Sequence, residues 1–118
     1  MTELIDMRQL EEVSDNDAEF QKELIDVFIS DTENLLARLE KASAAEDLFE
    51  TQRLAHSIKG SSGNVGAVAV RQAAQELEQL CARVCEQLET SGTTALRPSV
   101  AKLQELFFQT RNVLSSLP

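Results

Sequence analysis

The sequence predicts an all-α fold: an antiparallel, up-and-down four-helix bundle with a short extra helix at its N-terminus. Apolar residues recur at helical spacing along four long stretches. Helix-capping or helix-stopping residues mark the ends of these stretches, and the connections between them are short. No strand-like alternation, internal repeat or low-complexity tract interrupts this pattern, so residues 1–118 are interpreted as one domain.

Capping signals predict the first two helices. Asp6 and Gln9 are read as a capping box for a short helix that ends near Val13. Asn16 and Glu19 are read as a second box, which opens a much longer helix. The predicted buried stripe of that helix, up to its end near Ala42, comprises Phe20, Leu24, Val27, Phe28, Leu35 and Leu39.

The next helix is predicted to begin at Asp47, although Ser43 is an alternative cap. It runs to about Asn64, and Gly66 is suited to ending it because glycine readily adopts the left-handed conformation found after helices.

The last two helices follow from periodicity and from proline placement. A third long helix is predicted over roughly 67–89, and a loop over 90–94. Pro98 must lie in the first turn of the final helix, because its missing N–H costs nothing there.

The composition limits the classes of partner. The formal net charge of −9 argues against nucleic acid and against an anionic membrane surface. No apolar run approaches the roughly 20 residues of a membrane span, and residues 1–10 show no secretion signal. A cytoplasmic protein is therefore expected. The start at Met1, together with a complete bundle, favours a free-standing protein.

Cys81 and Cys85 are four residues apart and share a helix face. A regular helix rarely offers disulfide geometry at this spacing, and a zinc site would need further ligands that are not near in sequence. Both are interpreted as small buried or half-buried residues, and no metal or cofactor site is predicted.

His56 is the only histidine in the chain, and on a helical projection it lies opposite the predicted core face. An imidazole gains or loses a proton near neutral pH and can act as a nucleophile. Lys59, one turn on, supplies a positive charge, and Gly60 leaves bare surface where a partner must come close. This combination is suited to holding a phosphoryl group.

The segment 56–67, HSIKGSSGNVGA, resembles the signature of the histidine-containing phosphotransfer (HPt) domain family. The resemblance is dense over these residues and extends more loosely, in length and helix layout, over the whole chain. It implies a helical bundle that accepts a phosphoryl group on histidine and passes it on in a phosphorelay.

The resemblance also implies roles for individual residues. His56 would be the phosphoacceptor through Nε2, Lys59 the charge partner, and Gly60 the residue that leaves room for the partner. The family often has a polar side chain on the next helix that orients the histidine, and Glu78 and Gln79 are both candidates for this role.

The implied partners are response-regulator receiver domains and a hybrid histidine kinase. The chain has no glycine-rich phosphate loop, so it is expected to be a phosphotransfer intermediate without kinase activity. It is also expected to be a monomer. No cofactor is expected, since the Mg²⁺ for this chemistry would belong to the receiver. Residues on the surface around His56 are predicted to contact the docked partner. They are Phe49, Gln52, Arg53, Ser57 and Gly63.

Two of these docking residues have a second interpretation. Phe49 lies on the histidine side of its helix, and either docking or packing beneath the first helix is consistent with the pattern. Arg53 could add positive charge to the site, but pairing with Glu50 or Glu46 is favoured.

Three other classes of protein fit the sequence less well. A di-iron bundle uses Glu-x-x-His motifs. Here Arg53 stands where the motif before His56 would have glutamate, and the chain has no second histidine. The dimerisation part of a histidine kinase usually has an acidic residue after its histidine, whereas Ser57 follows here. A module that docks receivers without carrying phosphate is disfavoured by the combination of His56, Lys59 and Gly60.

Overall fold

The computed structural model describes residues 3–87 and 96–117, which form five helices and no strand. The helices are α1 Met7–Val13, α2 Ala18–Ala44, α3 Leu48–Asn64, α4 Val68–Gln87 and α5 Leu96–Ser115.

The four long helices form a closed ring, in which α2 contacts α3, α3 contacts α4, α4 contacts α5 and α5 contacts α2. Residues 45–47 and 65–67 alone join α2 to α3 and α3 to α4. Connections this short make consecutive helices antiparallel neighbours. The predicted four-helix bundle with a short N-terminal helix is therefore confirmed.

An aliphatic core fills the ring. Its largest fully buried apolar side chains are Leu10, Leu39, Leu54, Ile58, Leu77, Leu96 and Leu103. Each contributes about 1.5–3 kcal/mol by leaving water. Phe28 and Phe107 join α2 to α5 across this core, with ring centroids 6.0 Å apart. All four long helices are thereby held in fixed relative positions.

The face that α2 buries differs from the predicted stripe. Phe20 and Val27 are exposed, to 43% and 59%, so their assignment to the core is wrong. The residues that α2 buries are Ile25, Phe28, Thr32, Leu36, Leu39 and Ala42. Val27 follows the helical spacing loosely, but it points about 100° away from Phe28 and towards solvent.

The capping residue predicted for α2 also needs correction. Asp17, not Asn16, is the N-cap of α2, and its side chain accepts hydrogen bonds from the backbone N–H groups of Glu19 and Phe20. Asp15 and Asn16 have left-handed backbone conformations, with φ of 54° and 56°. They form the turn before the helix, which therefore begins one residue later than predicted.

Asp6 caps α1 as predicted, accepting from the Gln9 backbone N–H at 3.2 Å. The Gln9 side chain does not complete a box, because it donates to the Gly63 carbonyl instead, at 2.6 Å. Asp47 caps α3 and accepts from the Glu50 N–H at 3.0 Å, which settles the choice between Asp47 and Ser43.

The remaining described boundaries lie within two residues of the predictions, with α2 ending at Ala44 instead of near Ala42 and α4 beginning at Val68 instead of residue 67. α3 ends at Asn64, and Gly66 has the left-handed φ of 71° expected after a helix. Pro98 is in the first turn of α5. The predicted end of α4 beyond Gln87 and the loop at 90–94 lie outside the described residues.

Neither cysteine forms a disulfide. Cys81 is fully buried, and this burial, with a smaller contribution from the Glu78 charge, raises the pKa of its thiol to about 11. Cys85 is exposed, which departs from the buried or half-buried state predicted for it.

The N-terminal segment is fastened to the connection between α3 and α4. The Asp6 N–H donates to the Gly66 carbonyl at 2.8 Å, and the Ala69 N–H donates to the Leu4 carbonyl at 3.4 Å. A Cβ on Gly66 would lie 2.7 Å from the Asp6 carbonyl oxygen, so glycine is required there. None of the described helices is long and apolar enough to cross a membrane.

The buried hydroxyl of Thr32 gives a test of the core. Its Oγ1 has no hydrogen-bond partner within the described residues, whereas the Thr110 Oγ1 donates to the Leu106 carbonyl at 2.7 Å. Because an unsatisfied buried hydroxyl destabilises the fold, Thr32→Val should raise the free energy of unfolding by about 1 kcal/mol in urea titrations. Thr110→Val, the matched control, should give no such gain. A less stable Thr32→Val protein would contradict this account.

Candidate functional site

His56 lies in the middle of α3 and points outward, with 69% of its side chain exposed. The opposite face of α3 is buried and comprises Thr51, Leu54, Ala55, Ile58 and Ser62. The two hydroxyls on that face are satisfied within the helix, because Thr51 donates to the Asp47 carbonyl and Ser62 to the Ile58 carbonyl. The predicted division of α3 into a core face and a histidine face is confirmed.

Glu78 of α4 contacts both His56 and Lys59 on this face. Its Oε2 lies 2.7 Å from Nδ1 of His56, and its Oε1 lies 3.5 Å from Nζ of Lys59. The sequence left the contact with the imidazole open between Glu78 and Gln79. The structure assigns it to Glu78, whose side chain is only 20% exposed.

This contact determines which imidazole nitrogen is available for reaction. A carboxylate can only accept, so the short contact holds the ring proton of neutral His56 on Nδ1. Nε2 then has the lone pair, on a side chain that is largely exposed. The same carboxylate can compensate the positive charge that the ring acquires when Nε2 forms a new bond.

Lys59 lies one helical turn after His56, within reach of the same region of surface. Its side chain is 28% exposed, and its ammonium group pairs with the carboxylate that holds the imidazole. A single negative charge on Glu78 is thus shared between two neighbours on α3.

The two glycines of this face are not required by packing within the chain. A Cβ on Gly60 would meet nothing within 4 Å. One on Gly63 would meet only the Arg71 side chain, at an ordinary contact distance of 3.5 Å. Glycine in a helix interior costs about 1 kcal/mol relative to alanine. What Gly60 provides is a bare surface next to the imidazole.

Phe49 is 79% exposed, so the interpretation that it packs beneath the first helix is wrong. It lies seven residues before His56 on the same face of α3. Gln52 is partly exposed, and so is Ser57, whose hydroxyl donates to the Arg53 carbonyl at 3.2 Å.

Arg53 pairs with Glu50, as favoured from the sequence, through Nε and Oε2 at 3.0 Å. This hydrogen bond lowers the pKa of the Glu50 carboxyl and raises that of the Arg53 guanidinium. Glu50 also lies 3.6 Å from Arg38 of α2. Sequence reasoning did not find Arg38, because nothing in its local pattern shows which side of α3 it approaches.

No group of three or more His, Cys, Asp or Glu side chains within the described ranges is placed to hold a metal ion. The chemistry that this arrangement can perform is that of an oriented imidazole nucleophile with a nearby cation and an open approach.

Comparisons with known proteins agree with this chemistry. The sequence profile of the family described as the Hpt domain matches residues 23–113. Multistep phosphorelay regulator 1 of Schizosaccharomyces pombe is 33% identical over 96 residues, which is 80% of this chain and 29% of that protein. Phosphorelay intermediate protein rdeA of Dictyostelium discoideum is 36% identical over 80 residues, which is 68% of this chain and 32% of that protein. The chain thus spans only about a third of these relatives.

Solved structures extend the agreement to the whole bundle. The histidine-containing phosphotransfer protein B of Pseudomonas aeruginosa superposes with a TM-score of 0.66 at 29% identity, covering 95% of this chain and 97% of that one. The HPT domain of a sensor hybrid histidine kinase from Shewanella gives the same TM-score, 0.66, at 17% identity, covering 97% and 96%, and shows the fold alone. From the match over residues 23–113 it follows that this chain belongs to the HPt domain family.

Proposed function

We propose that this domain is a phosphorelay phosphocarrier, in which His56 accepts a phosphoryl group from the aspartyl phosphate of one receiver domain and passes it to the aspartate of another. The general part of this function, phosphotransfer within a phosphorelay, is that of the HPt family to which the chain belongs. The observation that best supports the assignment to His56 is the 2.7 Å contact between its Nδ1 and Glu78, which in the neutral imidazole favours the proton on Nδ1 and the lone pair on Nε2.

The transfer step conserves every atom. The Nε2 lone pair attacks phosphorus in line with the bond to the aspartyl oxygen, that P–O bond breaks, and the aspartate leaves as a carboxylate. The proton stays on Nδ1, and Glu78 offsets the positive charge of the ring. Delivery to the second receiver reverses these events, with a carboxylate as the nucleophile and the imidazole as the leaving group.

The neighbouring residues act by position and charge. Lys59 can turn from Glu78 towards the phosphoryl oxygens, whose charge it offsets. Gly60 leaves the surface bare, so that a receiver can bring its aspartate within reach of Nε2. The Mg²⁺ that assists this chemistry belongs, in this proposal, to the receiver.

The proposal includes a hybrid histidine kinase as the source of phosphate, a cytoplasmic location and a monomeric state. It also assigns the chain no kinase activity, so that incubation with ATP alone leaves it unlabelled. The closed ring of α2 to α5 within one chain supports this reading over a kinase dimerisation hairpin, which needs a second copy.

The direct test is a phosphotransfer assay with a panel of phosphorylated receiver domains, comparing the wild type with His56→Gln on phosphate-affinity gels. We expect an acid-labile, base-stable label on the wild type and none on the variant. A label that persists in His56→Gln refutes the assignment. Binding of receivers without any label would identify a docking module that does not carry phosphate.

Gly60→Arg tests the open approach. A Cβ at this position would meet none of the described residues within 4 Å, so the variant should fold with an unchanged thermal midpoint. Transfer from a receiver should slow by at least about tenfold, because a displacement of 1 Å at a reacting centre can cost more than that. Gly60→Ala, which adds one methyl group, is the matched control. Equal transfer rates in the arginine variant and the wild type would refute the clearance argument.

Lys59→Ala tests the charge partner. Its ion pair with Glu78 is partly exposed, so its loss should cost no more than about 1 kcal/mol of stability. Phosphoryl transfer should fall by roughly tenfold, since one charge-assisted contact is lost. Lys102→Ala is the control, because that lysine pairs with Glu76 on another side of α4. A large fall in stability with transfer preserved would make Lys59 a structural residue.

Glu78→Ala tests the orientation of the ring. Without the carboxylate, the neutral imidazole should lose its preference for the Nδ1–H form, which long-range ¹H–¹⁵N NMR of His56 measures directly. Transfer should slow on the order of tenfold, the equivalent of one hydrogen bond to a charged group. Glu76→Ala, on the same helix, is the control. An unchanged tautomer in Glu78→Ala would contradict the proposed orientation.

A further inference from the structure

Arg71 of α4 lies on the same side of the bundle as the contact between Glu78 and His56. It is exposed on α4, seven residues before Glu78 and therefore on the same face of that helix. On α3, His56 and Gly63 are also seven residues apart. The two helices are antiparallel, so Glu78 meets His56 and Arg71 meets Gly63.

The contact with Gly63 fixes where the guanidinium group lies. A Cβ on Gly63 would be 3.5 Å from Nε and 3.7 Å from Cδ of Arg71, so the arginine side chain lies across the boundary between α3 and α4. Two helical turns separate this point from His56, a distance of about 10 Å along the helix axis.

Arg71 lacks an internal counter-charge in the described part of the chain. None of the side-chain hydrogen bonds or ion pairs found within residues 3–85 and 96–117 includes the Arg71 side chain, whereas Arg38, Arg53 and Lys59 all have carboxylate neighbours. The groove beside it has a volume of about 340 Å³. Its lining residues are Gln9, Ser62, Gly63, Gly66, Val68 and Arg71.

We propose that Arg71 is a second anchor for the receiver domain and binds a carboxylate on the receiver surface, in the groove over Gly63. This inference rests on the proposed function, since it assumes a receiver centred on His56. A standard interface covers about 800 Å² of each partner, a patch roughly 30 Å across. A point 10 Å from His56 falls well inside such a patch.

The cost of covering an unpaired arginine makes the anchor selective. A guanidinium group that loses its water must find an acceptor, and a carboxylate matches its planar geometry with two parallel hydrogen bonds. A receiver with a carboxylate opposite Arg71 gains this contact. A receiver with an apolar or basic group there binds more weakly, because the guanidinium loses its water without finding an acceptor.

The test measures affinity and transfer separately for a receiver that labels or binds the wild type. Arg71→Gln should raise both the Kd and the half-saturating receiver concentration about tenfold, with the maximal transfer rate nearly unchanged. The dependence of Kd on salt should become shallower, and Arg71→Lys should recover part of the affinity. Arg83→Gln is the matched control, because Arg83 is an exposed arginine on another side of the same helix. It lies seven residues after Glu76, which pairs with Lys102 of α5.

The outcomes separate this inference from the function on which it depends. An Arg71→Gln protein that binds the receiver as tightly as the wild type overturns the anchor while leaving the phosphocarrier function intact. A fall in maximal rate at unchanged half-saturation also overturns it. A receiver that binds through Arg71 without labelling His56 supports the anchor and refutes the phosphocarrier. If no receiver binds the wild type, both are wrong.

A second copy of this chain or a free anion could also supply negative charge to the groove, and two measurements address these cases. Sedimentation of the wild type that shows a dimer, lost in Arg71→Gln, assigns the groove to self-association and overturns the proposal. Binding of millimolar inorganic phosphate to the wild type that is lost in Arg71→Gln, while that substitution leaves the receiver Kd unchanged, assigns the groove to a free anion, with the same consequence.

Discussion

The carboxylate of Glu78 is the interaction on which the site depends. It joins α4 to two residues of α3, at 2.7 Å from the imidazole and 3.5 Å from the ammonium group. An exposed histidine on a helix would otherwise rotate freely and present either nitrogen to solvent. Held by one acceptor at Nδ1, it presents Nε2 in a defined direction, and this converts an ordinary surface residue into an oriented nucleophile.

The hydrogen bond in turn requires that α3 and α4 lie at a fixed separation, because a displacement of 1 Å would break it. Both helices place fully buried alanines in the core, Ala55 and Ala74, and small side chains let helix axes approach closely. Leu54, Ile58 and Leu77 complete the packing behind the site. The rigidity of the aliphatic core is therefore a condition for the chemistry on the surface.

The sequence predicted the number of long helices, the bundle and the outward position of His56, because each depends on periodicity within a single segment. It could not choose between Glu78 and Gln79. Adjacent residues on a helix differ by about 100° in direction, so the choice depends on how α4 is rotated against α3. Rotation of one helix against another is a property of the packed bundle.

The same limit explains the other differences. Phe20 and Val27 follow the helical spacing of α2 but lie beyond the arc that its neighbours cover. Arg71 has no motif around it, and its relation to Gly63 exists only when the two helices are paired. Asn16 and Asp17 are both good capping residues, and only the left-handed turn at Asp15 and Asn16 decides which one caps the helix.

The hydrogen bond from the Gln9 side chain to the Gly63 carbonyl joins residues 54 positions apart. That carbonyl is among the last four of α3, which lack partners inside their own helix, so α1 supplies part of the C-terminal cap of a distant helix. During synthesis α1 is made before α3. It can make this contact only once α3 and the connection to α4 have been made, so α1 reaches its final position after a helix that follows it in the chain.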